Sequence, residues 1–492
     1  MRVAIIHDYL NQYGGAERVL EAFCELFPDA PIYTLFYDEE KTLGRFKDKD
    51  IRTSFLDMNW IATSHLSEAL REGGSQAFPI AKQSRILDKV GTRNDRKGEL
   101  DSRFRGNDRE IASAQTSRND GMEAGIVEKK GGIFHKFVIN NHRLFIPLMP
   151  IAASLMKVDD DYDVVLSSSA GFGKGMRVGK NTIHISYCHT PLRYAWEHYK
   201  YFNWQTYLKI LSAPAFWYLR IWDKWVGRKP QKLIANSKYI SEKIKKYYKR
   251  EAEVIYPPVD TEKFCVKPKV KKGDYFLAVG RLIHYKKFDL IIRAFNKLNL
   301  PLLIIGNGPE LENLKQLAKS PRLRPDFANV SPGKQGSLLR QGYGGQAGGQ
   351  SKIEFLTSIT DEQLILLYNG AQAFIFPQVE DFGLVAAEAQ ACGTPVIALN
   401  QGGGREIVED GKTGILFNNQ NVDDLIMAVK RFTLLNNFAF REIPARAGFN
   451  RVKIKQFDQK LIRESALRFS KNKFKKAILK AVYEARNASS RT

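Results

Sequence analysis

Short runs of apolar residues recur along the chain, and helical periodicity follows several of them. The first run is followed by a glycine turn at residues 11–15 and an amphipathic stretch from Ala16 to Leu26, which together predict the strand, turn and helix of a βα unit. Continuous apolar runs are typical of parallel strands that are buried on both faces. In the first half of the chain, the predicted strands lie at 2–7, 163–168, 182–187 and 232–237.

The pattern restarts after an extended segment from Tyr256 to Asp260, in which two prolines fix their own φ angles and disfavour helix in the preceding residue. Beyond this segment, a helix is predicted from Asp289 to Leu298. The predicted strands lie at 275–280, 301–306, 352–356, 373–377 and 394–398. Because strands alternate with helices in both halves, we predict an α/β fold of two doubly wound, Rossmann-like domains that face a central cleft.

Two stretches of low complexity interrupt this alternation. Residues 84–130 contain a short near-repeat that ends in Asn-Asp, and residues 319–351 are rich in glycine and glutamine. Both resemble translated repeat elements, and both are predicted to be disordered insertions in surface loops, where long additions cost little stability. Residues 435–452 are a third candidate of the same kind.

The composition indicates a folded, multidomain chain and predicts its location. A length of 492 residues, of which 43% are hydrophobic, suggests two or three domains with sizeable cores. The four cysteines form no Cys-x-x-Cys pair, so we expect a reducing compartment. The N-terminal apolar run is too short for a secretory signal, and no uncharged stretch reaches the roughly 18 residues that a membrane span needs. These features predict a cytoplasmic protein.

The net charge of +23 is concentrated in two blocks, residues 224–250 and 441–486. Such blocks suit a polyanion, either nucleic acid or an anionic membrane surface, and a solvated helix face is the alternative. No zinc-finger spacing or RNP-like strand accompanies the charge, which disfavours nucleic acid. Just before the first block, Trp217, Trp222 and Trp225 stand beside basic residues. This pattern suits a helix in a membrane interface or an amphipathic helix packed on its own domain.

Two carboxylates, Glu380 and Glu388, frame a segment that follows the predicted strand 373–377 and runs into a predicted helix. The helix start at Gly383 and Leu384 offers unpaired N–H groups and the positive end of the helix dipole, which attract anions. Glu388 can accept hydrogen bonds from vicinal hydroxyls such as those of a ribose, and Glu380 can do the same for a sugar. Capping of the helix by these acids is the alternative.

Two cations, Arg281 and Lys286, follow the predicted strand 275–280. At the end of a strand that faces a cleft, such a pair suits a diphosphate, because fixed cations stabilise the charge that grows on a departing phosphate oxygen. A surface pair is the alternative in so basic a chain. Gly306 and Asn307 stand in a turn between the next strand and the following helix.

Together with other segments, these residues occur in the order and spacing of family 4 retaining glycosyltransferases, which the chain resembles over nearly its whole length outside the insertions. The segments that carry the resemblance are Tyr13-Gly-Gly-Ala-Glu17, Cys188-His-Thr-Pro191, Asn236-Ser237, Pro257-Pro-Val-Asp260, Arg281 with Lys286, Gly306-Asn-Gly-Pro-Glu310, Glu380 with Glu388, and Gly393-Thr-Pro-Val-Ile-Ala398. The residues around His7 and those from Tyr187 to Trp196 most resemble the O-antigen mannosyltransferase branch. The resemblance implies a GT-B fold.

The resemblance also implies roles for particular residues. Gly14 and Gly15 correspond to the loop that approaches the donor phosphate and the acceptor, and His189 to a histidine that contacts the transferred sugar. The implied catalytic residues are His189, Arg281, Lys286 and Glu380. The implied donor-binding residues are Gly14, Gly15, Ser237, Gly306, Asn307, Phe382, Gly383, Leu384, Val385 and Glu388.

The implied reaction is the transfer of a hexose, mannose from GDP-mannose, to a lipid-linked or growing polysaccharide acceptor, with retention of configuration. In this family the leaving diphosphate is thought to help deprotonate the incoming hydroxyl, so Glu380 and Glu388 are not the acid and base of a hydrolase. Because Arg281, Lys286 and the helix dipole can take the charge, no metal and no cofactor besides the nucleotide-sugar donor are implied.

The resemblance divides the chain into an acceptor-side domain at 1–250, a nucleotide-sugar-binding domain at 251–470, and a C-terminal helix at 471–492 that crosses back to the first domain. We expect peripheral binding to anionic lipid at the inner face of the plasma membrane, and no nucleic-acid partner. Arg405 and Thr357 depart from the family pattern where it touches donor recognition. The open alternatives are a GT-B sugar-nucleotide epimerase or sugar-phosphate synthase, and a non-catalytic basic binding protein on the same scaffold.

Overall fold

A computed structural model of the chain describes residues 1–57, 145–197, 206–319, 352–438 and 457–489. The predicted insertion at 84–130 lies outside these residues. Of the predicted insertion at 319–351, only Lys319 is among them. The third candidate insertion, 435–452, begins inside a helix that continues to Phe438, so its first four residues are helical and not disordered. The rest of that stretch lies outside the described residues.

The first sheet consists, in the described residues, of seven parallel strands in the order β3-β2-β1-β4-β5-β6-β7. These strands are β1 (Val3–His7), β2 (Ile32–Thr34), β3 (Ile51–Thr53), β4 (Val164–Ser169), β5 (Ile183–Cys188), β6 (Lys232–Ala235) and β7 (Glu253–Val254). The helices of this part are α1 (Gly15–Leu26), α2 (Met149–Leu155), α3 (Arg193–Trp196), α4 (Thr206–Val226) and α5 (Lys238–Tyr248). The central strands β1, β4 and β5 are buried along their whole length, as is typical of the interior strands of a parallel sheet.

The second sheet has six parallel strands in the described residues, in the order β10-β9-β8-β11-β12-β13. They are β8 (Phe276–Val279), β9 (Leu302–Ile305), β10 (Ile353–Leu356), β11 (Phe374–Phe376), β12 (Val396–Leu399) and β13 (Gly414–Phe417). The helices are α6 (Phe288–Leu298), α7 (Leu311–Lys319), α8 (Asp361–Gly370), α9 (Leu384–Ala391), α10 (Gly402–Ile407), α11 (Val422–Phe438), α12 (Gln459–Ala466) and α13 (Lys471–Ser489).

Each sheet has a point at which the strand order reverses, between β1 and β4 in the first and between β8 and β11 in the second. Parallel sheets of this kind bind ligands outside the C-terminal ends of the strands at such switch points. The predicted α/β class with two doubly wound domains is therefore confirmed.

Helix α13 packs on the core of the first sheet, although it follows the whole of the second. The ring of Phe474 stacks on Phe23 with ring centroids 5.9 Å apart and meets Tyr187 edge-on at 5.7 Å. Lys471 and Lys475 both form ion pairs with Glu25 on α1. Helix α13 thus follows the helices of the second sheet in sequence but packs against α1 and the core of the first sheet.

Candidate functional site

The sequence-predicted site residues lie where strands of both sheets end. His189 directly follows β5, and Ser237 lies two residues after β6. In the second sheet, Arg281 comes two residues after β8, Gly306 directly follows β9, and Glu380 lies in the loop after β11. These ends face the switch points, so the fold places residues from distant parts of the sequence around one crevice.

The glycine turn that precedes α1 meets the start of α9. Gly14 is the N-cap of α1, and its N–H donates to Glu17 Oε2 at 2.8 Å. A Cβ on Gly15 would lie 2.9 Å from Leu384 Cδ1, so the absence of a side chain allows this close approach. The structure therefore brings Gly15 and Leu384, which are predicted donor-binding residues of different domains, into contact.

One turn further along each helix, Glu388 of α9 forms an ion pair with Arg18 of α1. The Glu388 side chain is 2% exposed and that of Arg18 is 33% exposed. Burial raises the pKa of Glu388, and the Arg18 guanidinium works against this rise. The charge of Glu388 in turn raises the pKa of Arg18 above its ordinary value. No local sequence pattern marks Arg18 as a site residue.

Lys286 and Glu380 form a second ion pair, in which Lys286 Nζ lies 2.9 Å from Glu380 Oε1. Burial disfavours the charge of Lys286, but Glu380 outweighs this effect and the pKa of Lys286 lies above its ordinary value. Glu380 Oε1 also accepts a hydrogen bond from Gln378 Nε2 at 3.3 Å. Lys286 is therefore a fixed cation. Arg281, the second cation predicted for the diphosphate, is exposed to solvent.

The turn at Gly306 and Asn307 packs against the loop that carries Arg281. Gly306 has φ +150°, and a Cβ there would lie 1.9 Å from Gly280 O. The N–H of Leu282 donates to Asn307 O at 2.9 Å, while the Asn307 side chain accepts from Gly308 N at 2.7 Å. These contacts join the two loops, so the part that Gly306 and Asn307 visibly play is to hold the Arg281 loop in place.

The segment that leads into α9 divides between core and site. Phe382 is 3% exposed, and its ring packs against Tyr256 and Phe469 at centroid distances of 5.7 and 5.1 Å. Its side chain is therefore part of the core, and only its backbone can serve the site. Gly383 has φ +100° and directly precedes α9. Leu384 and Val385 are half-buried in the first turn of α9.

The glycine-rich start of α10 packs against the backbone of this segment. A Cβ on Gly403 would lie 1.8 Å from Phe382 O, and one on Gly402 would lie 2.5 Å from Glu380 O. The N–H of Gly403 donates to Glu380 O at 2.9 Å. Because side chains are excluded at these two positions, the backbone around Glu380 is held by direct packing of two chain segments.

Asp381 connects the same segment to the first domain. Its carboxylate pairs with Arg193 of α3 and with Lys243 of α5, the latter at 3.4 Å. Although burial opposes ionisation, Arg193 and Lys243 lower the pKa of Asp381. Ser237 Oγ donates to Asp381 O at 2.5 Å and accepts from Ile240 N at 3.1 Å, so it is the N-cap of α5.

A carboxylate of the second domain also occupies the N-terminus of α5. Glu406 accepts hydrogen bonds from the N–H groups of Lys238 and Tyr239 at 2.8 and 2.9 Å. A carboxylate at this position satisfies free amides and interacts favourably with the helix dipole. Sequence reasoning missed Arg193, Lys243 and Glu406, since nothing in the local sequence indicates which residues meet across the cleft.

His189 lies buried at the end of β5 and is neutral. Its Nε2 lies 2.8 Å from Ser168 Oγ, and its ring meets Tyr187 edge-on at 5.3 Å. Burial, together with the nearby His7 and Arg193, lowers the pKa of His189 to about 3. His7 in turn lies 3.7 Å from Glu17, measured from Nε2 to Oε1.

A cavity of about 380 Å³ opens beside Arg18, between α1 and the segment that links the domains. Its lining includes Tyr13, Glu21, Asp260 and Asp361. The lining includes none of the predicted catalytic or donor-binding residues, but Arg18, which lines the cavity, also pairs with Glu388. Within the described ranges, no three acidic, histidine or cysteine side chains cluster in a way that could hold a metal ion.

Two family profiles match the sequence. The profile described as Glycosyltransferase Family 4 matches residues 104–263. The profile described as Glycosyl transferases group 1 matches residues 259–328 and 345–450, and its interruption falls inside the predicted insertion at 319–351.

Curated relatives match shorter parts of the chain. A GDP-mannose-dependent alpha-(1-6)-phosphatidylinositol monomannoside mannosyltransferase of Mycolicibacterium smegmatis is 30% identical over 200 residues, which are 36% of this chain and 46% of that protein. A D-inositol 3-phosphate glycosyltransferase of the same species is 35% identical over 147 residues, which are 30% of this chain and 29% of that protein. The chain thus spans less than half the length of each of these two relatives.

The fold is similar to that of solved glycosyltransferase structures. The crystal structure of HepE from Anabaena in complex with UDP matches with a TM-score of 0.57 and 14% sequence identity, and the match covers 98% of this chain and 100% of that chain. At this identity, the likeness concerns the GT-B fold alone.

Proposed function

Because the chain carries a Glycosyltransferase Family 4 domain followed by a glycosyl transferases group 1 domain on a GT-B fold, we propose that it is a retaining glycosyltransferase. The proposed reaction moves a hexose, mannose from GDP-mannose, to a lipid-linked or growing polysaccharide acceptor. The observation that carries the proposal is the convergence of the Lys286–Glu380 pair, the N-terminus of α9 and the buried Glu388 at the switch point of the second sheet.

Each part of this site suits one part of a nucleotide sugar. Lys286 and the first-turn amides of α9 provide fixed positive charge for a diphosphate, and this charge stabilises the departing phosphate more than the bound donor. Arg281 is exposed and adjacent, so it can reach a phosphate from the solvent side. Glu380 suits the hydroxyls of the transferred sugar, and Glu388 suits those of the ribose.

On the other side of the crevice, we propose that the backbone of the Gly14–Gly15 turn, which contacts Leu384 at the start of α9, approaches the donor phosphate and the acceptor. His189 is neutral, and as a buried group it suits a contact with a sugar hydroxyl better than the binding of a phosphate. The proposal of mannose as the transferred sugar is supported by the relative of 30% identity whose name specifies GDP-mannose.

We expect GDP-mannose to raise the apparent melting temperature of the protein. A ligand that binds only the folded state at 100 times its Kd adds about 2.7 kcal/mol to the free energy of unfolding. The measurement is a thermal-shift screen of GDP-mannose, UDP-glucose, UDP-galactose and ADP-glucose, with mannose 1-phosphate as the matched compound that lacks a nucleotide. A larger shift with a UDP- or ADP-sugar would contradict GDP-mannose as donor. A lack of response to every nucleotide sugar would favour the non-catalytic binding protein.

We also propose that the enzyme binds an anionic membrane through α4. In this helix Phe216, Leu219 and Trp222 are buried against the first domain, while Trp217 and Trp225 are 66% and 57% exposed. The helix therefore packs on its own domain, as one of the two sequence interpretations states, and still presents tryptophans to the outside. Interfacial tryptophans beside basic residues are typical of helices that lie on a membrane.

Helix α2 extends the same surface. Trp222 Nε1 donates to Ser154 Oγ at 3.4 Å, which places α2 next to α4. Exposed apolar side chains on and beside α2 are Leu148, Ile151 and Leu155, and on α4 Lys224 is exposed beside Trp225. Among the helices that the structure describes, none combines the length and the apolar character that a membrane crossing requires.

We expect the double variant Trp217→Ala/Trp225→Ala to bind anionic phospholipid vesicles at least about tenfold more weakly than the wild type, because two exposed aromatic side chains lose their burial in the interface. Binding of the wild type should also fall as salt is added. The measurement is vesicle sedimentation, with Leu366→Ala as a control because Leu366 is an exposed apolar residue on α8, outside both basic blocks. Binding that is insensitive to both the substitutions and the salt would leave α4 as an ordinary surface helix.

A further inference from the structure

The N-terminal turns of α1 and α9 face each other at two successive positions. Gly15 contacts Leu384, and Arg18 pairs with Glu388. The spacing is three residues on α1 and four on α9, which is one helical turn on each, so the two contacts lie on a single face of each helix. A donor whose diphosphate lies at the start of α9 and whose ribose reaches Glu388 would lie beside these two contacts. Arg18 therefore lies at the proposed donor site, although it belongs to the opposite domain.

Arg18 is the only cation that the structure places against Glu388 within the described residues. The other titratable groups that face this carboxylate are acids or weak acids: Asp361 of α8, Asp260 of the linking segment, and the Tyr368 hydroxyl and Cys392 thiol. Burial and the two aspartates raise the pKa of Glu388, and Arg18 lowers it. Without Arg18, nothing described around Glu388 favours the ionised form.

The protonation state of Glu388 decides how well it can bind a ribose. An ionised carboxylate accepts hydrogen bonds with both oxygens and can take both hydroxyls of a vicinal diol, whereas a protonated carboxyl carries a donor on one oxygen. Hydrogen bonds to a charged group are also roughly twice as strong as those between neutral groups. Arg18 engages Glu388 Oε1, and no described residue donates to Oε2.

We propose that Arg18 is a positioning residue for the nucleotide donor, which fixes the Glu388 carboxylate for hydrogen bonds from the donor's ribose. This inference rests on the proposed function, since it takes Glu388 as the ribose-binding acid. The other ion pairs across the cleft, those of Asp381 with Arg193 and Lys243, hold the domains together at a different place. These ion pairs join the domains independently of Arg18. The role proposed for Arg18 is therefore to fix the charge and position of the Glu388 carboxylate.

The test is isothermal titration of the full chain with GDP and with UDP between pH 6 and pH 9, on the wild type, Arg18→Gln, Arg18→Lys and Glu388→Gln. We expect Arg18→Gln to weaken binding of the preferred nucleotide about tenfold or more at pH 7, since a hydrogen bond to a charged group is lost. Arg18→Lys should recover most of the affinity because it keeps the charge.

The dependence on pH separates this role from a purely structural one. In Arg18→Gln the carboxyl has to lose its proton before it binds the ribose, so affinity should rise with pH in a range where the wild type is flat. Glu388→Gln has no such proton and should bind weakly at every pH. Arg45→Gln is the matched control. Arg45 also pairs with an acid, Glu21 of α1, at 3.8 Å, but it forms no ion pair with Glu388.

Each outcome decides the inference. Wild-type affinity in Arg18→Gln, or a loss of affinity that is the same at every pH, would overturn it. If Arg18→Gln does not fold, Arg18→Lys against the wild type gives the same comparison, and a tenfold loss in this charge-retaining variant would contradict the proposed role. Wild-type protein that binds neither nucleotide would refute the proposed function, and the inference would fall with it.

Discussion

We expect the substitution Lys286→Ala to lower the rate of the proposed sugar transfer by about 10²–10³-fold, the loss that follows removal of one fixed donor at a developing negative charge. Lys286 is held by Glu380 at 2.9 Å and is raised in pKa, so the wild type carries a full positive charge at this point throughout the neutral pH range. The measurement is the initial rate of transfer from GDP-mannose, together with a thermal melt that should remain near that of the wild type.

The controls separate the role of Lys286 at the phosphate from its role as a partner of Glu380. In the double variant Lys286→Met/Glu380→Gln, no unpaired carboxylate remains, yet the cation is still missing, so the rate should stay low. The control variant Lys297→Ala removes another ion-paired lysine, at the C-terminal end of α6, whose Nζ lies 3.3 Å from Asp423 of α11. This variant should transfer the sugar at the wild-type rate. Recovery of activity in the double variant would mean that Lys286 only neutralises Glu380.

The central strands could be predicted because their chemistry is local. β1, β4 and β5 are buried along their whole length, and each begins with apolar residues that indicate a buried strand, although β4 ends in three serines and β5 contains His184 and Ser186. Strands β2 and β3 have three residues each and β7 has two, which is too short for a run to stand out from its surroundings. The doubly wound topology follows from the alternation of strands and helices, and this needs only the longer elements.

The candidate site could be predicted only where a motif lies close to a strand end. Lys286 and Glu380 each follow a recognisable strand, and the structure does bring them together. Partners that meet across the cleft are far apart in sequence: Arg18 and Glu388 are separated by 370 residues, and Arg193 and Asp381 by 188. No periodicity or local spacing encodes such a contact, because it depends on how the two domains close.

A motif also cannot separate a side chain that packs from one that binds. Phe382 stands in the middle of the most specific segment, and its ring is nevertheless part of the core between Tyr256 and Phe469. Ser237 likewise caps α5 and binds the backbone of Asp381, so its hydroxyl is already engaged by the protein. For both residues, the direction of the side chain decides the role, and the direction depends on tertiary packing.

The buried ion pair of Lys174 and Asp223 is another contact that no local sequence pattern predicts. Both side chains are 0% exposed, and Lys174 Nζ lies 2.9 Å from Asp223 Oδ1. Lys174 also donates to Gly171 O at 2.6 Å, and Asp223 accepts from Trp196 Nε1 at 2.7 Å and from the Tyr248 hydroxyl at 3.0 Å. Through these contacts, Asp223 ties the tryptophan-rich helix α4 to the short helix α3.

We expect Asp223→Asn to lower the free energy of unfolding by about 3–5 kcal/mol, because it leaves the Lys174 ammonium buried without a counter-charge. The amide keeps the shape of the side chain and its oxygen can still accept from Trp196, so the loss reports the charge of Asp223 together with its hydrogen bond to Lys174. The measurement is denaturant unfolding of the wild type, Asp223→Asn and the double variant Lys174→Met/Asp223→Asn. The double variant should recover more than half of the loss, since neither member of the pair then carries a buried charge.

The pH dependence of the same variants gives an independent check. In the wild type, burial opposes the charge of Lys174 but Asp223 and neighbouring groups raise its pKa, so the contribution of the pair is fully present below the unfolded pKa of about 10.4. In Asp223→Asn the main counter-charge is lost, and burial, opposed only by the smaller effects of Cys188 and Asp8, is expected to lower the pKa of Lys174 in the folded state. The folded protein then binds fewer protons than the unfolded chain, so the stability of this variant should rise with pH up to about 10.4, whereas that of the wild type should not. A single variant as stable as the wild type at pH 7, with no such rise, would mean that solvent or a local rearrangement already compensates the lysine.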